Sequence, residues 1–110
     1  MKKVEAIIRP ETFGAVRQAL EDIGYSALTT TNVRSHGVER GTTRQWVGAA
    51  YVADLQPMTK VEVLVADALL DRVICVIREH ARTGAIGDGK IVVSPVEEAV
   101  SVLTGDRGVV

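Results

Sequence analysis

Along this chain the apolar positions recur in two rhythms, one suited to strands and one to helices. Val4 to Arg9 is a short apolar run bounded by charge and by Pro10, the pattern of a strand. From Glu11 to Ile23 the apolar residues Phe13, Val16, Leu20 and Ile23 fall on one helical face, with Arg17, Gln18, Glu21 and Asp22 elsewhere. Pro10 suits the entry to that helix and Gly24 its C′ position. Gly14 weakens it by about 1 kcal/mol relative to alanine, too little to change the assignment. Ala27 to Arg34 is rich in threonine and predicts a second strand. Met58 to Ala66 predicts a third, with Val61, Val63 and Val65 alternating against Lys60, Glu62 and Leu64. Asp67 is placed to N-cap a second helix, whose inner stripe is Leu70, Val73, Ile74 and Ile77 and whose end lies near Ala81. Ile91 to Val93 predicts a fourth strand, and Pro95 to Val102 is compatible with a turn of helix or a further strand.

The order β-α-β-β-α-β defines an α+β, ferredoxin-like arrangement, an antiparallel sheet with both helices on one face. The other face is left bare, and self-association is the natural way to cover it. Between strands two and three, Ser35 to Leu55 carries Gly37, Gly41 and Gly48, mixed charge and no sustained period. So long a connection without regular structure is expected to be functional.

Composition narrows the class. The 110 residues suit one domain with one core. A formal charge of −1 gives no general attraction to nucleic acid or anionic lipid, and 4% aromatic residues are too few for a base-stacking platform. The single cysteine, Cys75, excludes an internal disulfide and fits a reducing, cytoplasmic setting. It is expected to pack as a small hydrophobe beside the second helix's inner stripe. No apolar run approaches the ~20 residues of a membrane span.

The stretch Thr83-Gly84-Ala85-Ile86-Gly87-Asp88-Gly89-Lys90 stands between helix and strand. Glycines there let backbone N–H groups approach an anion closely, and Lys90 adds a point charge at the edge. Taken alone, the same run also serves as a tight helix-to-strand connection. His36 and His80 lie in different elements without metal-ligand spacing, so no metal site is expected, and no Ser-His-Asp or Cys-His arrangement is identifiable.

With this order, loop and glycine turn, the chain resembles the PII signal-transduction proteins, as a divergent PII-like member. The resemblance rests on Met1 to Pro10, on Thr83 to Ile91 and on Val93-Ser94-Pro95-Val96-Glu97-Glu98-Ala99, and it ends at Thr104-Gly105. It implies a homotrimer with adenine nucleotides in three clefts between subunits. It also implies that residues 35–55 form a loop that docks onto a target protein, with 96–110 as a C-terminal segment. In the family the phosphates lie against Gly37, Val38 and Glu39 and against Gly87, Asp88, Gly89 and Lys90. Thr29 and Leu64 fall at positions contacting base and ribose, and Thr83 at one on the neighbouring subunit's side of the cleft.

The departures from the family pattern bear on the ligand. Arginines usual at three nucleotide-binding positions are here Val38, Ser101 and Leu103, which leaves Lys90 alone of the phosphate-neutralising cluster. Arginine forks hold phosphate oxygens bidentately, and serine and leucine do not replace them. The pattern therefore favours ADP, AMP or a cyclic nucleotide over ATP. The family's magnesium-coordinating glutamine is Glu39, and the lysine that pairs with 2-oxoglutarate is Met58. A carboxylate repels a dicarboxylate and Met58 offers no cation, so 2-oxoglutarate is not expected to bind, while Glu39 keeps an oxygen donor for magnesium. Tyr51 stands where the family's modified tyrosine stands, but Val47 replaces a basic residue and Trp46 a tyrosine. Arg44, Trp46 and Tyr51 are accordingly read as partner contacts more than a modification site.

The leading expectation is a non-enzymatic signalling module that reads adenylate state and passes it to a transporter or metabolic enzyme through the loop. The alternatives are a conventional nitrogen regulator sensing ATP, ADP and 2-oxoglutarate, and an inorganic-carbon regulator of bicarbonate transport or carboxysomes using AMP, ADP or cyclic AMP. A small acyl-phosphate hydrolase would need an arginine-bearing phosphate loop joined to an asparagine, and none links Asn32 to Arg34.

Overall fold

Four strands and two helices appear in the expected order in the computed structural model, which describes residues 1–36 and 55–108. They are β1 (Lys2–Ile8), α1 (Phe13–Asp22), β2 (Thr29–His36), β3 (Leu55–Val65), α2 (Leu70–Ala81) and β4 (Gly89–Pro95). The sheet order is β2-β3-β1-β4 and every pairing is antiparallel, the ferredoxin-like topology.

Period-two alternation decides which face is core. Val4, Ala6 and Ile8 of β1 and Val61, Val63 and Val65 of β3 are buried together with Val16 and Leu20 of α1 and Val73 and Ile77 of α2. Both helices therefore cover one face. On the other, Lys3 bridges Glu5 at 3.0 Å and Glu62 at 3.5 Å, and Lys60 stands 4.0 Å from Glu62. These partly exposed pairs run across β1 and β3, and Glu5 holds the Lys3 ammonium above its usual range.

The ends of the elements are set by local chemistry. Gly24, at φ 99°, ends α1 beside a backbone bond from the Tyr25 N–H to the Leu20 carbonyl at 2.8 Å. Both helices open with a 3-10 turn, Pro10–Thr12 and Asp67–Leu69.

Four expectations are corrected. Asp67 is no N-cap: Ala66 holds that position without a side-chain bond, and the Asp67 carboxylate accepts from the Met1 amine at 2.6 Å. Cys75 is exposed, because two residues past Val73 a helix has turned some 200° away from the core. β3 begins at Leu55 and β4 extends over Gly89–Pro95, since pairing with β2 and β1 carries both beyond their apolar centres. Among the described residues beyond Pro95 neither helix nor strand follows. A single antiparallel bridge joins Val100 to Arg107, and Val102 and Leu103 project with their side chains almost wholly exposed.

Candidate functional site

The glycine turn is organised around one carboxylate. Asp88 accepts from the Thr83 and Gly84 backbone N–H groups at 2.8 and 3.0 Å, from the Thr83 hydroxyl, and from Arg9 Nε at 3.0 Å. Arg9 also donates from Nη2 to the Ile86 carbonyl at 2.9 Å, tying the tip of the turn to the end of β1. These donors, the Thr83 hydroxyl foremost, hold the Asp88 carboxyl far below the usual carboxylate range. Asp88 is thus spent inside the turn, where it fixes the backbone around it.

The turn's backbone favours glycine, most plainly at its C-terminal end. Gly87 and Gly89 have φ of 100° and 111°. At Gly89 a Cβ would stand 1.8 Å from the Ile7 carbonyl oxygen, because Gly89 pairs with Ile8 at the end of β4. The missing side chain is what lets β4 start against β1 and sends Lys90 onto the outer face opposite Ile7.

That turn forms one wall of a cavity of about 530 Å³. Its other walls are the ends of β1, β2 and β3, contributed by Ile7, His36 and Met58, with Lys90 and Arg34 supplying charge. A cavity of this size takes a drug-sized ligand. Met58 is buried, so the position that carries a cation in the family presents a thioether here.

Other predicted site residues lie apart. Thr29 and Leu64 line a separate cavity of about 490 Å³ with Lys3, Glu62 and Tyr25. Thr29 opens β2 and His36 closes it, so these two residues stand about 23 Å apart along the strand at ~3.3 Å per residue. Ser101 and Leu103 sit in the C-terminal segment and line neither cavity. One chain therefore does not unite these groups. Thr83 belongs to the same turn as Asp88 within one chain. Gly37, Val38, Glu39, Arg44, Trp46 and Tyr51 lie outside the described residues. Among the described residues no His/Cys/Asp/Glu cluster could hold a metal, and no helix is long and apolar enough to cross a membrane.

Arg9 escaped the sequence reading. It lies 79 residues from Asp88, and nothing local marks it as the group that anchors the turn.

An antiparallel β-α-β-β-α-β sheet with a pinned glycine turn beside an open cavity defines a small domain of the ferredoxin-like class. The family model described as "Nitrogen regulatory protein P-II" matches residues 1–106. A protein of that name from Azospirillum brasilense is 45% identical over 108 residues, covering 98% of this chain and 96% of the relative. Another so named, from Haemophilus influenzae, is 48% identical over 107 residues, covering 97% and 96%. The chain belongs to the nitrogen regulatory protein P-II family, a family of signalling proteins.

Proposed function

We propose that this protein is a PII-type signalling trimer that binds ADP or AMP in preference to ATP in clefts between subunits. It regulates a partner through residues 35–55 and does so without sensing 2-oxoglutarate. The observation that carries this reading is the turn itself. Gly87 and Gly89 turn the chain at positive φ, the Arg9–Asp88 pair pins the turn to the end of β1, and Lys90 stands beside the resulting cavity. The separation of Thr29 and Leu64 from this turn within one chain supports a cleft completed by a second copy.

Ligand preference follows from charge. With Val38, Ser101 and Leu103 where the family carries arginines, several charge-assisted bonds of about 1.5–3 kcal/mol each are missing for a long polyphosphate. Buried Met58 and acidic Glu39 remove the attraction for a dicarboxylate. The conventional reading, ATP with 2-oxoglutarate, draws support from the relatives' shared name and near-full coverage.

A thermal-shift screen of ATP, ADP, AMP and cyclic AMP, each with and without 2-oxoglutarate or bicarbonate, separates the two. The largest shift is expected with ADP or AMP and no further gain with 2-oxoglutarate. Stabilisation by ATP that 2-oxoglutarate enhances favours the conventional reading. A response that only bicarbonate enhances points to inorganic-carbon control.

A further inference from the structure

Arg9 follows the last residue of β1 and precedes Pro10. A residue before proline is held to extended backbone, and Arg9 has φ −65° and ψ 139°. Both ends of the residue are bonded. Its carbonyl oxygen accepts from the Thr12 N–H at 3.0 Å and from the Thr12 hydroxyl at 2.9 Å, at the approach to α1. Its guanidinium donates from Nε to Asp88 at 3.0 Å and from Nη2 to the Ile86 carbonyl at 2.9 Å.

Arg9 lines the outer-face cavity with Lys90, so it could serve a ligand as a cation or as a support. The first role fits poorly. Two of its nitrogens are committed to the protein, and the Asp88 carboxylate at 3.0 Å offsets its charge. The second role fits the bonding. Ile86 and Asp88 flank Gly87, so the two guanidinium bonds bracket the residue that turns the chain at φ 100°. A glycine left unrestrained samples that region as one of several. Two donors on separate nitrogens of one rigid plane hold both flanks in register, where an ammonium would offer a single point. The same Asp88 carboxylate gathers the Thr83 and Gly84 N–H groups from within the turn, so Arg9 is its anchor from outside.

We infer that Arg9 is a positioning residue for ligand binding: by bracketing Gly87 it holds the glycine turn in its binding form before a ligand arrives, and it touches no phosphate itself. The inference rests on the nucleotide reading above and deepens it. Preorganisation removes an ordering cost that is the same for every ligand using the turn. The contribution of Arg9 is therefore independent of the number of phosphates, unlike that of a point charge such as Lys90.

The test is titration calorimetry of the full chain and its R9A, R9K, D88N and R9A/D88N variants with AMP, ADP and ATP, together with amide hydrogen exchange in the absence of ligand. R9A should bind all three nucleotides about tenfold more weakly, R9K should regain only part of the loss, and R9A/D88N should bind no more weakly than R9A. Without ligand, the Gly84 amide that donates to Asp88 should exchange several-fold faster in R9A. R9K keeps the charge and carries the comparison if R9A does not fold. Losses that grow with phosphate number make Arg9 a ligand contact and overturn the inference, as does an unchanged ADP affinity in R9A; either leaves the nucleotide reading standing. Unchanged Gly84 exchange overturns it without reference to any nucleotide. A parent chain that binds no adenylate overturns the nucleotide reading and this inference together.

Discussion

Asp88 is a carboxylate surrounded by donors from its own turn and from Arg9, and its titration should mark the acid limb of stability. Its folded pKa lies below the unfolded value, so the unfolded chain binds the proton first. The stabilisation is fully present above about pH 4 and is lost as pH falls toward the folded value. D88N should cost about 2 kcal/mol at neutral pH and flatten this acid dependence, as read by urea unfolding at a series of pH values. An unchanged acid limb would show that other carboxylates set it. Gly89 carries a steric demand: G89A forces a Cβ against the Ile7 carbonyl oxygen at a φ of 111°. A loss of about 3 kcal/mol or more is expected in the same assay, and a loss under about 1 kcal/mol would mean that β1 and β4 part without cost. Neither constraint was fully legible in the sequence. The Gly-Asp-Gly string marked a turn, but the Arg9 anchor is a contact across the length of the chain.

At the scale of elements, strands with two unlike faces were the easiest to read. Val61, Val63 and Val65 announced β3 because one face meets the helices and the other carries Lys60 and Glu62. β2 was harder to bound, since its first four residues are all exposed and no alternation marks where pairing begins. Asp67 misled because a capping residue and a partner for a distant amine look alike in sequence. Cys75 misled because the inner stripe of α2 is narrower than its apolar content suggests: Val73, Ile77 and Ala81 are buried and Cys75 is not. Denaturation separates the two positions. I77A should cost about 2–5 kcal/mol and C75S within about 0.5 kcal/mol, and a comparable loss in both would contradict this orientation of α2.

For the whole molecule, the fold was legible from element order, whereas the site was only half legible. The turn was visible, yet its complement lies elsewhere: Thr29 and Leu64 occupy the far end of the sheet and Ser101 and Leu103 the C-terminal segment. A sequence lists these residues together without saying that one chain keeps them apart. The proposed trimer joins them, and its natural seat is the outer sheet face with its Lys3, Glu5, Glu62 and Lys60 pairs. Sedimentation should give a trimer, and E62K, which sets a third cation beside Lys3 and Lys60, should shift it toward smaller species. A monomeric parent chain would remove the inter-subunit cleft. The central claim is that a pinned glycine turn lacking the family's arginine cluster reads short adenylates. Titration calorimetry of ADP, AMP and ATP, with and without 2-oxoglutarate, tests it most directly. ADP or AMP should bind at least about tenfold more tightly than ATP, a difference of about 1.4 kcal/mol, and 2-oxoglutarate should change nothing. ATP binding more tightly than both, and more tightly still with 2-oxoglutarate, would contradict it.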